Sequence, residues 1–221
     1  MDTLIVIPIL VSVLPGLVAL IVISRPNRSY WLMALIGGAG WLIALIAREP
    51  ILLLLGSLDL YPRICLAAFM AGVFEEITRY LILKRFVSKN TDLYGALSIG
   101  LGWGLTEALL LYAIQVPLAA TIYGYNWTDF LPGAIERNSA ILFHLGMTIL
   151  IMLGIIGFIS VKVAVPLAIG LHTLLDIIAG ITAIEIGNVW IVEGIIALIA
   201  LVVVLPIIYY FLKEILKRKW K

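Results

Sequence analysis

Five charged side chains and two histidines stand inside stretches that otherwise read as lipid-spanning helices. They are Glu75, Glu76 and Arg79 in GVFEEITRYLIL, Glu107 in GWGLTEALLL, His144 in ILFHLGMTIL, and His172 and Asp176 in IGLHTLLDII. A charge at the centre of a membrane helix costs roughly 2.5–3.5 kcal/mol on insertion scales. A chain that keeps so many is expected to gather them into one internal site. Carboxylates and imidazoles are also the groups that move protons in catalysis, or hold a metal that does so.

The spacing narrows the chemistry. Arg79 lies four residues after Glu75 and three after Glu76, so it can pair with either carboxylate across one helical turn. Adjacent residues diverge by about 100° on a helix, so the two glutamates cannot face the same spot. One is expected to serve chemistry and the other a structural ion pair. His172 and Asp176, four apart, share a helix face, and the carboxylate could fix the tautomer of the ring. Glu136 and Arg137 in ERNSAILFH precede His144 by about two turns, and Glu136 reads equally as a cap at the helix start. Counted together, Glu75, Glu76, Glu107 and Asp176 face a single deep cation, Arg79. They cannot all be ionised and buried without a cationic histidine, a metal or a water-filled cavity.

The elements that position these groups follow from composition. The 221 residues are 63% hydrophobic and 13% charged, with mean hydropathy +1.17. Soluble domains are nearer 45–50% apolar and about 25% charged. The class expected is therefore an all-α, polytopic membrane bundle of about seven spans, forming one membrane domain over residues 1–221. The site-bearing core falls at 64–183, and a basic tail at 212–221. A net charge of +2 gives no reason to expect a nucleic-acid partner; the lipid bilayer is the expected surroundings. The single Cys65 rules out an intrachain disulfide.

The predicted spans run from about 3 to 23, 30 to 47, 64 to 83, 93 to 113, 139 to 159, 163 to 183 and 189 to 211. ILLLLGSL, 51–58, is too short to cross and reads as re-entrant or interfacial. The stretch 115–138 reads as one long loop that could cap the membrane surface. Arg25, Arg28, Lys84, Arg85, Lys89, Lys162 and the tail cations Lys213, Lys217, Arg218, Lys219 and Lys221 would then share one side, against Arg48, Arg63 and Arg137 on the other. The excess of positive charge places the N-terminus outside and the C-terminus in the cytoplasm, with the plasma membrane as the expected location. Trp31, Trp127, Trp190 and Trp220 fall near the predicted interfaces as anchors. Gly100 and Gly104, like Ser98 and Gly102, have the small-xxx-small spacing that lets helices approach. They are expected to bring the helix of Glu107 against the third span.

A diacid followed by a base, then a helix-borne histidine, then HxxxD resembles the superfamily of CAAX-processing and bacteriocin-processing intramembrane proteases. The usual first motif there is EExxxR, and this chain has EExxR. That spacing, the lone Glu of GWGLTEA, ERNSAILFH and HTLLD are most similar to the YhfC branch of membrane peptidases, related to the PrsW proteases. The resemblance covers about residues 72–176. It implies an intramembrane endopeptidase acting on a membrane protein or lipidated peptide. Glu75 or Glu76 with His144 would activate water, and His172 would support the oxyanion, oriented by Asp176. Arg79 and Glu107 complete the expected site. Zinc on His144, His172 and Glu76 is the alternative to metal-free glutamate chemistry, although the chain has no HExxH. The competing classes are a proton- or ion-coupled transporter and a catalytically inactive membrane scaffold. A transporter would be expected to show paired repeats and broken helices in both halves, and the sequence shows neither convincingly.

Overall fold

A computed structural model describes residues 3–87 and 92–219. After a 3-10 turn at Thr3–Ile5 come α1 (Val6–Ser24), α2 (Arg28–Leu54), α3 (Leu60–Phe86), α4 (Leu93–Ala108), α5 (Gln115–Tyr123), α6 (Leu131–Ile155), α7 (Val161–Glu185) and α8 (Val189–Lys219). Seven of these are long. Six stretches, including α4 joined to α5, are long and apolar enough to cross a membrane. α3, at 27 residues, has the length but carries Glu75, Glu76 and Arg79 in one turn. The described residues contain no strand. Lipid can satisfy no backbone group, so a spanning chain must form helices or a closed barrel, and this one forms helices. Lys89, Trp220 and Lys221, expected among the topology charges and anchors, lie outside the described residues, as do the side chains of Lys217, Arg218 and Lys219.

α6 is the central helix. Of its most apolar 18-residue window 67% is buried, against 33% or less in the other spans. It touches α1, α3, α4, α7 and α8, while α2 packs on α3 and α4, and α3 packs on α7. The outer faces carry leucine, isoleucine and valine, such as Leu35, Ile46, Leu174 and Val202. Within lipid this exposure has no hydrophobic cost.

Three expectations are corrected. The run 51–58 is neither re-entrant nor separate: α2 continues through Pro50 to Leu54 and ends in a 3-10 turn at Leu55–Ser57. Arg48 therefore lies within a continuous helix. The stretch 115–138 is helical in three pieces, namely α5, a 3-10 turn at Trp127–Phe130 and the first two turns of α6. Pro132 sits in the opening turn of α6, where its missing N–H has no bond to lose. The α4 glycines meet α2 and α6 rather than α3. A Cβ on Gly102 would fall 1.9 Å from the Ala34 oxygen, one on Gly100 2.7 Å from Thr148 Oγ1, and one on Gly104 2.9 Å from Ile141 Cα. Only residues without a side chain allow this approach, and it presses the helix of Glu107 against the helix of His144.

Between α4 and α5 the chain widens into a π-helical stretch, Leu109–Ala113, two residues after Glu107. Such stretches shift the side chains beyond them around the helix axis.

A buried acid-histidine site

Glu75 and Glu76 divide as their spacing predicts. Glu76 is wholly buried; its Oε1 lies 2.6 Å from His172 Nδ1 and its Oε2 pairs with Arg79 Nε at 3.2 Å, without hydrogen-bond alignment. Glu75 turns the other way, into a cavity of about 220 Å³ that also meets Glu107, Arg137, His144, His172 and Asp176. Its Oε1 accepts from Arg48 Nη1 at 2.9 Å and its Oε2 from the Trp103 indole N–H at 3.1 Å.

Arg79, buried like Glu76, ties α3 to α6. Nη1 donates to the His144 carbonyl at 2.6 Å and to Thr148 Oγ1 at 3.1 Å, and Nη2 lies 3.0 Å from His144 Nδ1. Its guanidinium also stacks 4.4 Å over Trp103, a contact that suits a desolvated arginine. The other ring nitrogen of His144, Nε2, is 2.7 Å from Glu107 Oε2, and Glu107 Oε1 accepts from Arg137 Nη1 at 2.7 Å. Arg137 pairs as well with its neighbour Glu136, which lines the same cavity rather than only capping a helix.

His172 stands edge-on to His144, with ring centroids 5.5 Å apart. Its Nε2 is 4.0 Å from Glu75 Oε2 and 3.7 Å from Asp176 Oδ2, both beyond direct hydrogen bonding but right for a water between them. Asp176, expected to orient the ring, instead faces Nε2, and Glu76 takes Nδ1. At 38% side-chain exposure Asp176 stands nearest the outside.

The structure thus brings all seven expected residues into one neighbourhood, and adds Arg48, Trp103, Arg137 and Thr148. Arg48 carried a signal that could have placed it: it is a cation within a run of helix-forming residues that need not end at Pro50. With these arginines the charge count changes. Five carboxylates (Glu75, Glu76, Glu107, Glu136 and Asp176) now meet three guanidiniums (Arg48, Arg79 and Arg137). Fully ionised, that leaves an excess of two negative charges.

For a metal, distance alone nominates Glu75, Glu107 and His144, which offer one donor atom each within 4.8 Å of one another. Of the expected ligand set His144, His172 and Glu76, only His144 is in that group. Glu76 is spent on Arg79 and His172 and does not reach the cavity.

A polytopic helical membrane protein with buried carboxylates and paired histidines around a cavity is a candidate for chemistry inside the bilayer. The chain matches the YhfC intramembrane metalloprotease family over residues 11–127, and it belongs to that family. The match holds Arg48, Glu75, Glu76, Arg79 and Glu107 and ends before both histidines. No curated protein and no solved structure matches the chain.

Proposed function

We propose that this chain is an intramembrane endopeptidase whose Glu75 activates the attacking water. The observation that carries the reading is the cavity itself, in which Glu75 Oε2, His172 Nε2 and Asp176 Oδ2 stand one water's reach apart among spanning helices. Glu75 takes a proton from that water as its oxygen attacks the peptide carbonyl. The proton then passes to the leaving nitrogen as the C–N bond breaks, giving a new carboxyl and a new amine. Arg48 and Trp103 hold the carboxylate in position throughout. One histidine serves the water and the other the oxyanion.

The donor set suits a divalent cation such as zinc. Glu75 and His172, whose facing donor atoms lie 4.0 Å apart, would hold it, and the two excess negative charges would balance it. When bound, such an ion would lower the pKa of a water on it to about 7.

The substrate is taken to be a membrane protein or lipidated peptide. Leu175 and Ala179 of α7 and Ile196 of α8 line the cavity, and both helices turn leucines outward to lipid. The charge asymmetry puts the N-terminus outside and the tail in the cytoplasm, in the plasma membrane. Arg48 and Arg137, two of the three cations assigned to the outer side, turn into the site. The cavity would then lie towards the outer leaflet.

The test compares protein N-termini in membranes from cells making the chain and its Glu75→Gln variant. New termini confined to the unaltered chain are expected; identical sets from both would overturn the reading. Metal content by mass spectrometry, beside His172→Ala, decides the zinc arm: about one zinc per chain, lost in the variant, assigns His172 as a ligand.

A further inference from the structure

The two histidines are bound by partners of opposite chemistry. Arg79 has only donors, so its Nη2 contact at 3.0 Å requires His144 Nδ1 to accept. A proton on that nitrogen would face a permanent cation across the same gap. The ring proton of His144 therefore sits on Nε2, where it donates to Glu107 Oε2 at 2.7 Å. Both nitrogens are then committed. Nε2 has no lone pair, so His144 can neither take a proton from water nor ligate a metal while Arg79 stays in place.

His172 is the reverse. Glu76 is an acceptor, held by Arg79, so His172 Nδ1 carries the proton and donates across 2.6 Å. In the neutral ring the lone pair is then on Nε2, which points at Glu75 and Asp176, with no partner nearer than 3.7 Å among the described residues. A carboxylate holding the far N–H of an imidazole is how proteins present a histidine to a metal or a water. One guanidinium thus sets both rings, His144 directly and His172 through Glu76.

The geometry points to a fixed division of labour: His172 Nε2 is the one histidine nitrogen that accepts a hydrogen bond from the water Glu75 activates, or holds a metal, and His144 is a locked N–H donor for the carbonyl oxygen. This reverses the roles that the resemblance implies. It rests on the reading of the cavity as the active site. As negative charge develops on the substrate oxygen, His144 Nε2–H exchanges Glu107 for it, and Arg137 keeps Glu107 in place. Arg79 and Glu76 touch no substrate and act as positioning residues.

The chain has only two histidines, so the experiment is direct. The full-length protein, labelled with 15N-histidine and held in lipid bilayers, gives nitrogen resonances from two imidazoles. Protonated and unprotonated ring nitrogens are widely separated. His172→Asn and His144→Asn each leave one ring and so assign the pair; either suffices should the other fail to fold. The expected result is His144 unprotonated at Nδ1 and protonated at Nε2, with His172 the opposite. In Glu76→Gln, where the side chain can donate as well as accept, the His172 pattern is expected to become mixed while that of His144 holds. The same tautomer on both rings, the reverse assignment, or two protonated nitrogens on either ring overturns the proposal. Opposite tautomers in a protein that cleaves nothing would overturn the protease reading alone. Cleavage with His144 carrying its proton on Nδ1 would overturn this assignment alone.

Discussion

Replacing Gly102 with alanine tests whether the α2–α4 contact holds the site in register. The new Cβ would lie 1.9 Å from the backbone oxygen of Ala34, and ordinary contact begins at 3.4 Å. The obstacle is main chain within a helix and cannot rotate away, so the helices must part by about 1.5 Å. Overpacking of this kind costs about 1–3 kcal/mol, and the alanine's better helix propensity returns up to about 1 kcal/mol. A net loss near 1 kcal/mol corresponds to a fall of about 2–4 °C in Tm for a chain of this size. Glu107 lies five residues along the same helix, and the shift would displace it relative to His144, its partner at 2.7 Å. A misplacement of about 1 Å can cost 10²-fold in rate, so cleavage should fall further than stability does. The control is Gly170→Ala on α7, where nothing lies within 4 Å of the added carbon. That variant should be neutral or gain up to about 1 kcal/mol. Thermal unfolding of both in one detergent decides the matter. If Gly102→Ala melts no lower than Gly170→Ala, the close approach of α2 and α4 does not hold this site together.

Other expectations follow from individual contacts. Arg48→Gln leaves the Glu75 carboxylate buried with Trp103 as its remaining partner. It should destabilise by about 3 kcal/mol, the low end for a broken buried pair because Arg48 is 13% exposed. Adding Glu75→Leu should restore much of the loss in thermal denaturation, and no recovery would contradict the pairing. Trp103→Phe keeps the ring under Arg79 but removes a donor to a charged group, costing about 1–3 kcal/mol in the same assay. His144→Ala should lose roughly 10²–10³-fold in kcat, as when an oxyanion donor is removed. His144→Gln, which keeps an N–H, should recover part of that, whereas His172→Gln should do no better than His172→Ala. Equal recovery at both positions would contradict the division of roles.

The sequence made the spans and the seven charged or imidazole residues legible because lipid punishes both irregular backbone and unpaired charge, and so leaves both visible. The split between Glu75 and Glu76 was legible in kind, since adjacent helical residues diverge, but the direction of each was not. That direction depends on α7 packing against α3, which places His172 beside Glu76. Arg48 and Arg137 were misplaced because a cation at the end of an apolar run reads as a loop charge. Their reach of several ångströms inward, to Glu75 and Glu107, depends on helices that extend past the apolar run. The glycines of α4 announced close packing, but spacing on one helix does not name the partner, and α2 and α6 met it rather than α3.

The pairing of α2 with α3 also bears on how the chain enters the membrane. α3 carries three charges into the bilayer well before α7 is made, since His172 lies 96 residues beyond Glu76. At roughly 5–20 residues per second of synthesis, the helix must wait about 5–20 s for that partner. It need not wait unpaired. Arg48 precedes Glu75 by 27 residues and is already present, and Glu76 finds Arg79 within its own turn. The α2–α3 hairpin can therefore be inserted as a neutral unit, two acids with two bases. The histidines that later complete the site then arrive at a place already set for them.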